Sequence, residues 1–165
     1  MAYNVNIEFY KIILIGNYGV GKSNILKRFK DNEFSSEPVD SSTTPNGDVH
    51  EKYFQINERV IKADIWDTAN QEKNTNSMTG LYFKGSQGAI LVIDLTLKDS
   101  LDSVDKWVSL LKNNITENIP IILIGNKCDS LDNRQIPEEK ALEIAKTYGI
   151  NLLLIKDWFI LRHLH

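Results

Sequence analysis

Apolar residues gather in short runs set at wide intervals along the chain. Ile12-Ile13-Leu14-Ile15, Ala89-Ile90-Leu91-Val92-Ile93 and Ile121-Ile122-Leu123-Ile124 are continuous and rich in β-branched side chains. A run apolar at every position, rather than at alternate ones, predicts a strand covered on both faces, as in a parallel sheet. Between the runs the period changes to that of a helix. Ile25, Leu26 and Phe29 mark one between Asn24 and Lys30, and Leu101, Val104, Val108 and Leu111 mark a second. Leu142 and Ala145 mark a third after Pro137, where Glu138 and Glu139 suit the positive end of a helix start.

The stretch from Val49 to Trp66 behaves differently. Val49 to Ile56 and Val60 to Trp66 alternate roughly between apolar and polar around Asn57-Glu58-Arg59, which predicts an antiparallel hairpin. Strands alternating with helices around one hairpin give an α/β fold, a mostly parallel sheet with helices on both faces. No Pro/Gly/Ser-rich linker divides the chain, so residues 1–165 are expected to form one domain. The polar stretches Ser35 to Thr44 and Asn70 to Thr79 are expected to be long loops, which in compact domains often carry function.

Composition narrows the field without naming a function. The 165 residues are 42% hydrophobic and 25% charged, ordinary values for a globular domain that builds its own core. Nineteen basic against 22 acidic residues leave a net charge of −3, which argues against nucleic acid or an anionic membrane as an electrostatic partner. The single Cys128 excludes an internal disulfide and fits a reducing, cytoplasmic compartment. No apolar run approaches the roughly 20 residues that span a bilayer. The start has no signal-like core, and Arg162-His163-Leu164-His165 offers no cysteine for prenylation, so a cytoplasmic monomer with doubtful membrane association is the expectation.

Two motifs carry chemistry. Gly16-Asn17-Tyr18-Gly19-Val20-Gly21-Lys22-Ser23 matches G-x-x-x-x-G-K-S and lies between a predicted strand and the helix opening at Asn24, the context the motif requires. Its glycines let the backbone wrap a phosphate at a helix N-terminus. Lys22 is placed to reach the β- and γ-phosphates, and the Ser23 hydroxyl to ligate Mg²⁺. The second motif, Asn126-Lys127-Cys128-Asp129, follows the strand Ile121–Ile124 through Gly125. A carboxylate such as Asp129 can accept from guanine N1 and the exocyclic N2, whereas adenine would leave it unpaired. The Lys127 stem can lie across the base. At the ends of parallel strands the two motifs together point to a guanine nucleotide.

These residues resemble the Ras-like small GTPases, and their Rab branch most closely, from about Glu8 to Ile150. Ile65-Trp66-Asp67-Thr68-Ala69-Asn70-Gln71-Glu72 looks like the family's W-D-T-A-G-Q-E. Tyr82-Phe83-Lys84-Gly85-Ser86-Gln87-Gly88 is similar to Y-Y-R-G-A-x-G, and Ser103 to Trp107 to N-V-x-x-W. The segment from Asn133 to Glu139 is also Rab-like, and no Rho-type insert follows Asp129. The resemblance implies a P-loop G domain with a six-stranded sheet, GTP/GDP and Mg²⁺ as cofactors, and an exchange factor, an activating protein and effectors as partners. It adds Asn17 to Asn24 as the nucleotide loop and Phe34 as the aromatic against guanine. Thr44 joins Ser23 at Mg²⁺ in the GTP state, Asp67 holds the ion through water, and Gln71 orients the attacking water.

The chain also departs from the family. Asn70 replaces the glycine whose N–H meets the γ-phosphate, which predicts slow hydrolysis; the alternative is a tolerated swap, since asparagine adopts positive φ better than most residues. Tyr18 stands where the family has a small residue, either obstructing an arginine finger or pointing to solvent. Pro45-Asn46-Gly47 replaces apolar switch I residues that meet Rab effectors. After the strand expected at Asn151 the S-A-K loop is missing, and Lys156 to His165 is short for the last helix. The expected function is a slow Rab-type GTP switch in vesicle trafficking or signalling. The alternative is a pseudo-GTPase scaffold that binds guanine nucleotide without effective hydrolysis.

Overall fold

The computed structural model of the chain describes residues 6–31, 49–68 and 80–155. Six strands form one sheet: β1 (Ile7–Ile15), β2 (Val49–Ile56), β3 (Arg59–Asp67), β4 (Gly88–Asp94), β5 (Ile121–Asn126) and β6 (Asn151–Leu154). Their order is β2-β3-β1-β4-β5-β6, parallel throughout except for the antiparallel pair β2–β3. The chain runs outward from β1 to one edge and then, from β4, to the other. The C-terminal ends of β1 and β4 therefore flank a crevice, where α/β sheets bind ligands.

The continuous apolar runs are explained by what covers them. On β4, Ala89, Leu91 and Ile93 face a core shared with Trp107, Val108, Leu111, Ala141 and Ala145. Val92, between them in sequence, joins Leu14, Ile124 and Leu26 in a second core on the opposite face. Helix α1 (Lys22–Asp31) supplies Leu26 to that second core. Helices α4 (Val104–Asn114) and α5 (Glu138–Tyr148) supply the first. Two short helices, α2 (Gly80–Phe83) and α3 (Lys98–Asp102), stand before and after β4.

The predicted elements are present with differences at their ends, and α1 opens at Lys22 rather than at Asn24. Each of β1, β4 and β5 is longer than its apolar run. At the hairpin, Arg59 pairs with Ile56, so the turn is only Asn57-Glu58. Asn57 takes φ 55°, the left-handed geometry that a two-residue hairpin turn demands and asparagine tolerates. The helix expected through Leu101 to Leu111 is broken at Ser103, where ψ falls to −3°. There Ser103 Oγ donates to the Ser100 carbonyl at 2.8 Å, the local competition with the helical ladder that serine favours. Helix α5 starts after Pro137, as its sequence predicts, and stops at Gly149 with φ 66°, a left-handed cap. No helix among the described residues is long and apolar enough to cross a membrane.

Candidate nucleotide site

The site begins where β1 runs out of sheet. Gly16 turns the chain under the end of β4, and a Cβ there would overlap the Val92 carbonyl oxygen. Gly19 and Gly21 also take positive φ, 79° and 99°. Turns of this kind gather main-chain N–H groups around one concavity, an anion cradle. Val20 is wholly buried beneath the loop and pins it to the core of Leu14, Val92 and Leu26. Lys22 opens α1 and is itself 3% exposed. Its ammonium donates to the carbonyls of Gly16 and Asn17 at 3.0 and 2.9 Å, so the cation is held inside the curl of the loop.

Two oxygens gather next to it. Ser23 Oγ donates to Asp67 Oδ2 at 2.8 Å, joining the start of α1 to the end of β3. Asp67 is buried, as is Thr68, whose hydroxyl donates to the Leu14 carbonyl at 2.8 Å and fastens β3 to β1. A hydroxyl and a carboxylate are the hard oxygen donors that Mg²⁺ takes, usually with waters and substrate phosphates completing the shell. Their contact shows that both reach one point. Among the described residues no group of three or more His, Cys, Asp or Glu forms a metal cluster of its own. The donor set fits a cation shared with phosphate.

The second motif closes the crevice from the other side. Asn126, 1% exposed at the end of β5, donates from Nδ2 to the Val20 carbonyl at 2.9 Å. Gly21 leaves room for that amide, since a Cβ at Gly21 would overlap Asn126 Nδ2. Lys127 has φ 61°, and its ammonium approaches the Gly19 carbonyl at 3.4 Å. Asp129 follows on the exposed turn, where the N–H of Leu131 donates to its carbonyl at 2.9 Å. The end of β6 supports this turn. The Ile155 N–H donates to the Gly125 carbonyl at 2.9 Å, and the Cys128 N–H to the Ile155 carbonyl at 3.3 Å.

The structure thus brings together the loop Asn17 to Asn24, Asp67, Asn126 and Lys127, with Asp129 two residues beyond Lys127 on the same exposed turn. Tyr18 is 62% exposed at the mouth of the crevice. The Asn24 side-chain carbonyl is buried without a hydrogen-bond partner among the described residues. Phe34, Thr44, Asn70 and Gln71 lie outside the described residues. Two participants escaped sequence reasoning. Trp107 donates its indole N–H to Asn17 Oδ1 at 2.9 Å. Asp94, fully buried at the end of β4, pairs with Lys127 at 2.7 Å. The only signal for Asp94 was an acidic residue closing an apolar run.

A mostly parallel sheet whose β1–α1 loop cradles a buried lysine, with a second loop from β5 bonded to it, defines a P-loop nucleotide-binding domain. A sequence model described as the Ras family matches residues 11–155, and the chain belongs to that family, as a Rab-type small GTPase. It is 42% identical over 151 residues to the Ras-related protein Rab11A of Lotus japonicus, covering 91% of this chain and 65% of that protein. It is 43% identical over 145 residues to the Ras-related protein RABA4d of Arabidopsis thaliana, 87% of this chain and 64% of that protein. With Rab2BV of Beta vulgaris the identity is 39% over 156 residues. The chain spans less than two thirds of the length of the first two relatives.

Proposed function

We propose that the chain is a Rab-type guanine-nucleotide switch that binds GDP or GTP with Mg²⁺, hydrolyses GTP slowly and serves vesicle trafficking or signalling. The observation that supports this most is the bond from Asn126 Nδ2 to the Val20 carbonyl, which seats a base-reading loop directly on a phosphate loop. Lys22 then offers its charge to the β- and γ-phosphates, and the N–H groups of the loop cradle them. Asp129 accepts the N1–H and N2–H of guanine, while the Lys127 stem lies along the base. Ser23, and Asp67 through water, would hold Mg²⁺, with Thr44 joining them in the GTP state. Mg²⁺, when bound, offsets the charge that builds on the phosphate oxygens. Gln71 orients the water that attacks the γ-phosphorus, the bond to the bridging oxygen breaks, and GDP and phosphate result.

Asn70 favours a second reading, a pseudo-GTPase scaffold. It puts a side chain where the family's glycine approaches the γ-phosphate. An Asn70→Gly variant that hydrolyses GTP no faster than the parent would remove the reason for it. Exchange factor, activating protein and effectors are the expected partners of one monomeric, cytoplasmic domain. The experiment that tests the main reading is the nucleotide content of the purified protein, followed by titration with labelled GDP, GTP and ATP in Mg²⁺. Tight binding of guanine nucleotides alone is the expected result. Binding of ATP with equal affinity, or of none on a folded protein, would refute the switch.

A further inference from the structure

We infer that Asp94 is a positioning residue for nucleotide recognition, acting through Lys127; this rests on the guanine-nucleotide reading above. The carboxylate sits at the end of β4 and is completely buried, while its partner's side chain is 30% exposed. Each carboxylate oxygen has a separate task. Oδ1 accepts from the Thr96 N–H at 2.8 Å and from the Thr96 hydroxyl at 2.7 Å. Oδ2 lies 2.7 Å from the Lys127 ammonium, which is the partner that the described residues give it. The backbone of Asp94 is fixed as well, for Ser100 Oγ donates to its carbonyl at 2.8 Å and accepts from its N–H at 3.0 Å. The carboxylate therefore cannot swing away to water.

Lys127 needs such an anchor. Its left-handed backbone is unfavourable for a long side chain, and an unanchored lysine stem on a surface turn samples many rotamers. Pairing with Asp94 fixes the stem, and the same ammonium reaches the Gly19 carbonyl at 3.4 Å. One cation thus spans the end of β4, the base loop and the phosphate loop. A nucleotide meeting a preset stem does not have to order it, and preorganisation of this kind slows release. A buried carboxylate left without its cation is strongly unfavourable, so the ion pair also holds Lys127 in place when the site is empty.

The test is the release rate of a fluorescent GDP analogue from the full chain and from Asp94→Asn, Lys127→Met and the double variant. Asparagine keeps the Oδ1 acceptor for Thr96 and removes the charge facing Lys127. Each single variant is expected to release GDP about tenfold faster, and the double variant no faster than Lys127→Met, as for residues acting as a unit. An Asp94→Asn effect of the same size with and without Lys127 would mark a merely structural carboxylate and overturn the inference. So would Lys127→Met releasing GDP as slowly as the parent, a result that needs no Asp94 variant to fold. A parent that binds GDP tightly while Asp94→Asn changes nothing sinks this inference alone. A parent that binds neither GDP nor GTP sinks the nucleotide reading with it.

Discussion

Trp107, buried on the helix α4, donates its indole N–H to Asn17 Oδ1 in the phosphate loop at 2.9 Å. The bond joins the hydrophobic core to the second residue of the loop. Asn17 also gives its main-chain carbonyl to Lys22. Loosening the tryptophan should therefore loosen the seat of the lysine. Trp107→Phe keeps a ring in the core, shrinks it and orphans the side-chain oxygen Oδ1 of Asn17. A loss of about 2–3 kcal/mol is expected from the lost volume and the unpaired acceptor together, read by urea denaturation. GDP release should quicken in the same variant, and an unchanged release rate would show that the loop holds its shape without the bond.

The glycines of the loop should differ sharply in tolerance. Gly16→Ala drives a Cβ into the Val92 carbonyl oxygen, which belongs to a central strand and cannot yield. Gly19 has φ 79° but nothing within 4 Å of where a Cβ would stand. Gly16→Ala is expected to cost more than about 3 kcal/mol, the range of severe core changes. Gly19→Ala pays only left-handed strain, about 1–2 kcal/mol. Chemical denaturation of the two variants side by side checks the order.

Lys22→Met keeps the buried stem and removes the charge. It abandons the carbonyls of Gly16 and Asn17 and leaves the phosphates without their cation. GTP affinity is expected to fall about a hundredfold or more, as for loss of a charge-assisted contact in a closed site. Equilibrium titration against the parent measures it, and a change of less than tenfold would mean that the loop's N–H groups suffice.

Metal removal should act through Ser23 and Asp67. Chelating Mg²⁺ with EDTA is expected to speed GDP release from the parent by about tenfold or more, because a ligand that binds only the loaded state stabilises it. Ser23→Ala lacks one of the two oxygens that meet at 2.8 Å and should respond to EDTA by less than about threefold. An equal response in both would place the cation elsewhere.

A pH effect is expected far from the site. The Tyr148 hydroxyl on α5 donates to Asp105 Oδ1 on α4 at 2.7 Å, and that bond raises the phenol above its ordinary value. A raised value in the folded state means that the protonated phenol favours folding. The stabilisation is complete below the ordinary phenol value of about 10 and vanishes as pH rises through the folded value. Tyr148→Phe lacks it. The gap in melting temperature between parent and variant should be constant near neutrality and close at alkaline pH. A gap that persists there would assign the effect to ring packing.

Much of this was legible in the sequence because it is local. Ile12 to Ile15 and Ala89 to Ile93 name their strands, since only a strand covered on both faces needs an apolar residue at every position. Gly16 to Ser23 names its loop, since positive φ and close backbone approach leave glycine little competition. Pro137, Glu138 and Glu139 mark the start of α5 by their own backbone and charge chemistry. The break at Ser103 was not legible, because the spacing of Leu101, Val104 and Leu111 is helical on both sides of it.

The sequence by itself determined the central strands, the start of α5 and the residue types at both ends of the crevice. Those follow from short-range sterics and from hydrophobic periodicity, which neighbouring residues alone decide. Only the tertiary structure decided that Asn126 meets Val20, that Trp107 meets Asn17 and that Asp94 anchors Lys127. Each of these pairs joins side chains carried by different elements, so no local period encodes it. The pairing arises only when the order β2-β3-β1-β4-β5-β6 sets the ends of β1, β4 and β5 side by side. Burial there removes water as a competitor and leaves each polar group the partner that the sheet places within reach.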